Sequence, residues 1–120
     1  MYLARLCQFN DFYLTPCDSA YRSSKRFSQE VIDAMNQEVS SFIRKTHDQK
    51  INLIGYSGGA AVAALLAACR PDVVSLRAVA GNLDHSFVNQ YHEVDDMPES
   101  LNAIDIAEKS GHCHNCTLWE

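Results

Sequence analysis

Two stretches of this chain have the apolar pattern of a helix. Apolar residues recur every three or four positions from Phe27 onward, which predicts an amphipathic helix over about residues 28–46 with Ser28 as its N-cap. An almost unbroken alanine-rich run predicts a second helix over about residues 58–69, and Pro71 ends it because proline cannot continue a helix. This second helix is apolar all round, so we expect it to be buried.

Three short apolar runs predict β-strands, and they lie at about residues 2–9, 51–55 and 73–80. Runs that are apolar at nearly every position are typical of a parallel sheet, in which both faces of a strand are buried. The elements alternate between strand and helix, and right-handed crossovers then place the helices on the faces of the sheet. The predicted fold class is therefore α/β with a short parallel sheet.

The junction between the second strand and the second helix, Gly55-Tyr56-Ser57-Gly58-Gly59, fits the pattern G-x-S-x-G. In this pattern the serine occupies a strained turn that holds its hydroxyl clear of the sheet. We expect Gly55 and Gly59 to be required, because a Cβ at either position would collide where the chain reverses. The N–H of Gly58 then faces a developing oxyanion. The alternative is a structural turn in which Ser57 only caps the helix.

The residues that follow the third strand, 82–100, have little periodicity and carry several histidines and aspartates. They are predicted to lie at the same sheet edge as Ser57, because the carboxyl ends of parallel strands meet there. A serine nucleophile needs a base and a group that orients this base. His85 is the candidate base and Asp84 the candidate acid, although a loop histidine is more often simply solvated. Further candidates for these roles are His92, Asp95 and Asp96.

The remaining stretches are mostly irregular. Residues 10–26 are polar and predict a long loop, in which Tyr21 and Arg26 are candidates for a functional role. A short helix is predicted over about residues 100–109. Residues 1–111 then form one domain, and residues 112–120 match no element and are interpreted as an irregular tail.

Five cysteines cannot all pair within one chain. A bridge between Cys7 and Cys17 requires the intervening loop to double back, and Cys69 is expected to be a buried apolar residue. In the tail, Cys113 and Cys116 form a C-x-x-C beside two histidines. No metal is expected there, because so short a span cannot easily supply four ligands to one zinc ion. No cofactor is expected either.

Charge and hydropathy exclude several classes of function. The net charge of −5 and the absence of any long basic run argue against nucleic acid as a partner. The longest apolar stretch, residues 60–69, has about half the length that a membrane span needs, so no membrane partner is expected. The first seven residues lack the layout of a signal peptide, because Arg5 interrupts the apolar run. A cytoplasmic location is therefore expected for the chain as given.

With these residues placed, the chain resembles the α/β-hydrolase superfamily, and more closely a group of bacterial α/β hydrolases whose members are often exported. The similarity covers about residues 2–105 and is carried by four segments, residues 2–9, 24–28, 53–60 and 80–85. The resemblance implies a truncated three-layer α/β/α core. It implies a serine hydrolase that cleaves a small ester or amide, with Ser57 as nucleophile and the Gly58 N–H as half of the oxyanion hole.

Two parts of the family pattern have no counterpart here. They are the loop that supplies the second oxyanion donor and the C-terminal strands that carry the acid and the histidine of the triad. Low or no activity is therefore expected. A three-stranded sheet also exposes two unpaired edges, which predicts a homodimer or a higher oligomer. The alternative function is that of a non-catalytic oligomeric remnant of the fold that acts by binding.

Overall fold

The structure is a computed structural model that describes residues 1–5, 7, 17–110 and 116–119. Its elements, in chain order, are a short 3-10 helix at Ser19–Arg22, α1 at Gln29–Thr46, β1 at Ile51–Tyr56, α2 at Gly58–Cys69, β2 at Val73–Val79, α3 at His85–Tyr91, α4 at Ala103–Ser110 and β3 at Cys116–Trp119. The two long predicted helices and the two strands around α2 are confirmed to within about one residue.

The sheet is parallel, with the strand order β1-β2-β3. β1 and β2 pair along their length, and Tyr56 lies opposite Val79 at their carboxyl ends. β3 extends the sheet by pairing with the second half of β2, so that Leu76 lies opposite Cys116. The loops that follow β1 and β2 therefore leave the sheet side by side, as the sequence predicts.

Helix α2 is the centre of the core. All of its residues from Ala60 to Ala67 are buried, because it packs on β1 and β2 with one side and against α1 and α4 with the other. Helix α1 contributes its apolar stripe to this core, namely Val31, Ile32, Met35 and Val39. The many alanines let the neighbouring elements approach α2 closely, as is required of a helix that is covered all round.

One arginine fastens the end of α2 to α1. The Arg70 guanidinium makes a two-pronged ion pair with Asp72, with N–O distances of 2.9 and 2.6 Å. Its Nη1 also donates to Asn36 Oδ1 at 2.6 Å and to Ser40 Oγ at 2.8 Å. Because this side chain is largely buried and fully engaged, it fixes the turn at which α2 ends and β2 begins.

The second face of the sheet is uncovered in the part of the chain that the structure describes. Ile54 is 74% exposed and Tyr56 is 71% exposed, whereas Leu53 and Gly55 lie on the face of the sheet that packs against the core. The predicted three-layer arrangement is therefore not formed by the described residues. The physical reason is that α1 and α4 pack against α2 rather than on the opposite sheet face.

At both ends of the chain the structure differs from the predicted elements. Residues 1–5, the described part of the strand predicted over residues 2–9, have no strand conformation, and Leu3 packs against the core instead. An apolar run specifies burial but not a pairing partner. At the other end, Cys116–Trp119 within the predicted irregular tail forms β3, and the remainder of the tail lies outside the described residues.

A disulfide joins Cys7 to Cys17, with the two Cα atoms 5.9 Å apart. The intervening loop therefore does bring its ends together. Cys69, in contrast, is exposed at the end of α2 rather than buried as expected. Among the described helices, none is long and apolar enough to cross a membrane.

Candidate functional site

The junction between β1 and α2 holds Ser57 in a strained backbone conformation. Its φ is 51° and its ψ is −124°, and the residue is exposed. A positive φ is uncommon for residues other than glycine and costs of order 1–3 kcal/mol. The neighbouring backbone maintains it, since the Ser57 N–H donates to Val79 O at 3.0 Å and the Ser57 carbonyl accepts from the Ala60 N–H at 3.0 Å. The predicted strained turn is confirmed.

The two glycines that flank this turn are not equivalent. A Cβ on Gly55 would lie 2.4 Å from the Gly59 carbonyl oxygen and 2.5 Å from the Ala60 Cα, so no side chain fits there. A Cβ on Gly59 would meet nothing within 4 Å. The steric requirement is therefore confirmed for Gly55 and wrong for Gly59, because the first turn of α2 directs this position toward open space.

If Ser57 served only to cap α2, its side chain would accept a hydrogen bond from the first turn of the helix. Ser57 occupies the N-cap position, but its side chain makes no capping hydrogen bond. No described residue accepts a hydrogen bond from the Gly58 N–H in its place. An uncapped N–H at the positive end of a helix dipole attracts anions. The arrangement therefore presents an exposed hydroxyl next to an available backbone donor.

The loop after β2 lies directly against this junction. Ala80, the first residue of the loop, also has a positive φ of 47°. The Asn82 N–H donates to the Ser57 carbonyl at 3.4 Å, and a Cβ on Gly81 would lie 3.0 Å from the Ala60 Cβ. The sheet edge thus brings the residues after β2 next to Ser57, as the topology predicts.

Asp84 is used to begin α3. Its Oδ1 accepts from the Phe87 N–H at 3.1 Å and from the Asn102 side-chain nitrogen at 2.9 Å. These hydrogen bonds, that from Asn102 foremost, hold the pKa of Asp84 below its ordinary value. Asn102 also accepts from the His85 backbone N–H at 3.2 Å. No hydrogen bond joins the Asp84 carboxylate to the His85 ring.

His85 lies in α3 and is only 5% exposed. Its ring stacks on Phe27, with ring centroids 6.3 Å apart. Both ring nitrogens are buried without a hydrogen-bond partner among the described residues. The alternative of a solvated histidine is therefore wrong. The structure nonetheless does not link His85 to Ser57 or to Asp84, so its role as base stays a prediction.

Outside α2 and the adjoining Ser57, Phe27 and Arg5 lie nearest to the Gly58 position, and the sequence pattern assigns neither of them to the site. A Cβ at Gly58 would lie 3.5 Å from Phe27 Cζ and 3.7 Å from Arg5 Nη1. The guanidinium carbons of Arg5 and Arg26 lie 5.8 and 5.9 Å from the centroid of the Phe27 ring. Burial lowers the pKa of Arg5, and the charge of Arg26 lowers it further. The sequence feature that could have indicated a role for Arg5 is its charge within an otherwise apolar run.

The other candidates lie away from this junction. His92 is exposed and makes an edge contact with the Tyr91 ring. The Tyr21 hydroxyl donates to the Glu30 carboxylate. An open hollow on α3 has an acidic lining but does not include Ser57; it is lined by Asp84, Ser86, Phe87, Gln90, Val94, Asp95 and Asp96. Within the described ranges, no three histidine, cysteine or acidic residues are grouped so as to hold a metal ion. Cys113 and its flanking histidines lie outside those ranges.

Comparisons of the chain with models of protein families, with curated proteins and with solved structures found no match.

Proposed function

We propose that this chain is a serine hydrolase with a truncated α/β-hydrolase core, in which Ser57 is the nucleophile. One observation carries the proposal: an exposed serine with a φ of 51° stands between the end of β1 and the first residue of α2. Natural proteins retain strain of this kind mainly where function requires it. The close approach of Gly55 to Gly59 supports the same interpretation, because it excludes any larger residue at the first position of the pattern.

The reaction is nucleophilic acyl transfer. Ser57 Oγ forms a bond to the carbonyl carbon of a small ester or amide and gives up its proton to a base, and the carbonyl oxygen becomes an oxyanion. The oxyanion then re-forms the carbonyl as the bond to the alcohol or amine breaks, and this leaving group takes the proton from the base. In a second step water attacks the acyl-serine, which releases the acid and restores the Ser57 hydroxyl. The Gly58 N–H stabilises the oxyanion, and removing one such donor costs typically about 10²–10³ in rate.

The base is the weak part of this site. His85 is the proposed base and Asp84 its proposed acid, but the ring is buried against Phe27 and its nitrogens make no hydrogen bond to Ser57. Asp84 meanwhile holds the start of α3. A serine without an assembled base still benefits from the oxyanion donors and from substrate binding, which leave roughly 10³–10⁴-fold acceleration over water in serine proteases. Slow turnover is therefore expected.

The test is the reaction of the purified chain with p-nitrophenyl acetate. We expect a burst of up to one equivalent of nitrophenol, because acylation of Ser57 precedes slow deacylation. The burst should vanish in Ser57→Ala and persist in Ser86→Ala, which removes another exposed serine near the same sheet edge. Equal release by the wild-type protein and Ser57→Ala would contradict the proposal.

A second proposal, binding between copies of the chain, rests on the uncovered sheet face. Ile54 and Tyr56 stand on this face, and β1 carries neither a charge nor a proline that would protect its edge. A homodimer in which this face packs against the same face of a second copy would cover Ile54 and Tyr56. Sedimentation should show a dimer that Ile54→Lys dissociates and Phe42→Lys, an exposed position on α1, does not. A monomeric wild-type protein would contradict it.

A further inference from the structure

Phe27 is held rigidly beside the candidate nucleophile. Its side chain is completely buried, its N–H donates to Ser100 Oγ at 3.0 Å, and its carbonyl accepts from the Leu101 N–H at 2.8 Å. With side chain and backbone both fixed, the ring is a stable support for the groups that lie against it. Two of these groups are the guanidinium ions of Arg5 and Arg26.

Of the two arginines, Arg5 lies closer to the start of α2. Arg5 Nη1 lies 3.7 Å from the point that a Cβ of Gly58 would occupy, whereas no atom of Arg26 is among the three nearest to that point. The nitrogen and the Cβ of one residue are about 2.5 Å apart. Arg5 Nη1 therefore lies within about 6 Å of the Gly58 nitrogen, a gap that one oxygen atom spans with two ordinary hydrogen bonds.

We propose that the Arg5 guanidinium is the second donor to the anionic oxygen that the Gly58 N–H binds next to Ser57. This inference deepens the proposed function: it supplies the oxyanion donor that has no counterpart in the sequence. A guanidinium has five N–H donors, so it can bind an oxygen alongside other contacts. Hydrogen bonds from a charged donor are roughly twice as strong as those between neutral groups, which suits a developing oxyanion.

The identity of the bound group follows from the donors. A cation and a backbone N–H at the residue that follows an exposed serine favour an anionic tetrahedral centre over a neutral carbonyl. A phosphonate has this shape and charge and does not react. It therefore reports on the anion site separately from the chemistry of Ser57.

The experiment measures the binding of phenylphosphonate to the Ser57→Ala protein by following the Gly58 amide signal in NMR titrations. We expect saturable binding that weakens at least tenfold when Arg5→Gln is added. Arg26→Gln is the matched control, because it removes the other arginine beside Phe27, and we expect less than a threefold change. Arg5→Lys keeps the charge without the planar fork and should give an intermediate loss.

Two outcomes would overturn the inference. One is an unchanged affinity in Arg5→Gln with the protein still folded. The other is an equal loss in Arg26→Gln, which would show a general effect of positive charge. If Arg5→Gln does not fold, Arg5→Lys decides between the same two outcomes. Phenylphosphonate binding that depends on Arg5, together with no reaction at Ser57 in the wild-type protein, would overturn the proposed hydrolase but not the anion site.

Discussion

The carboxyl ends of β1 and β2 lie side by side, yet the chain uses them in opposite ways. Each strand ends in a non-glycine residue with positive φ, Ser57 after β1 and Ala80 after β2. After β1 the strain exposes a hydroxyl that no described residue engages. After β2 the polar residues turn inward, since His85 is buried and Asp84 begins a helix.

This difference separates two reasons for finding polar residues at a sheet edge. The segment after β1 has a strained backbone conformation that presents an exposed hydroxyl, whereas the segment after β2 uses its carboxylate for local stability. Position at the edge therefore supports the proposed role of Ser57 only in combination with its exposure and its backbone conformation. The buried His85 fits neither pattern, because its ring nitrogens have no partner among the described residues.

The largest loss of stability is expected from a substitution at the tightest point of the turn after β1. Gly55→Ala should lower the free energy of unfolding by about 3 kcal/mol or more, because its Cβ would lie 2.4 Å from a backbone oxygen that cannot move alone. Gly59→Ala is the matched control and should change stability by less than about 1 kcal/mol, since its Cβ meets nothing. Urea denaturation followed by circular dichroism measures both. Equal losses would contradict the account of the turn.

The second prediction concerns the buried histidine after β2. His85→Leu should raise the free energy of unfolding by about 1–2 kcal/mol, because it removes two buried nitrogens without described partners and keeps the contact with Phe27. Urea denaturation measures the change. The nitrophenol burst tests the proposed base: we expect its rate to fall about 10²-fold or more, because general-base catalysis typically contributes roughly 10²–10⁴-fold. A burst of unchanged rate would show that His85 is not the base.

A smaller effect is expected from the helix cap. Asp84→Ala should cost about 1 kcal/mol at neutral pH, because the Phe87 N–H and the Asn102 amide lose their acceptor. Hydrogen bonds to the carboxylate lower its pKa in the folded state, so this stability is present above about pH 4 and is lost as the pH falls through the folded pKa.

Thermal unfolding at several pH values checks this assignment. Asp84→Asn should keep most of the cap but lose the acid dependence, because asparagine caps helices without titrating. A difference between wild type and Asp84→Ala that stays constant below pH 4 would show that the carboxylate is not the group involved.

The smallest expected change in stability comes from relieving the backbone strain at the two strand ends. Ser57→Gly and Ala80→Gly should each stabilise the protein by up to about 1 kcal/mol, because glycine accepts positive φ without steric cost but loses more entropy on folding. Chemical denaturation of both variants gives the comparison. Destabilisation of both variants would mean that neither strand end is strained.

The sequence predicts the elements around α2 well and the rest poorly, for identifiable reasons. Helix α1 has a long apolar stripe, and α2 is bounded by the glycine turn and Pro71, so local pattern suffices for both. Helix α3 has only seven residues, too few for a periodic signal, and its one marker was Asp84 at the N-cap. Strand β3 depends on pairing with β2, a non-local contact that four residues do not encode.

Some features of the candidate site likewise follow from the local sequence, and others do not. The conformation of Ser57 and the steric role of Gly55 follow from the spacing within five residues. The position of Arg5 does not, because it depends on how the N-terminal segment packs against Phe27 and α2. Burial of His85 against the same ring likewise arises from contacts between distant parts of the chain.

The most direct test of the nucleophile is intact-mass analysis after incubation with a fluorophosphonate, run beside the Ser57→Ala variant. We predict one adduct per chain in the wild-type protein and none in the variant, because the exposed hydroxyl lies next to the donors that we propose for the tetrahedral centre. Folded wild-type protein that acquires no adduct, or an adduct that persists in Ser57→Ala, would contradict the assignment of Ser57.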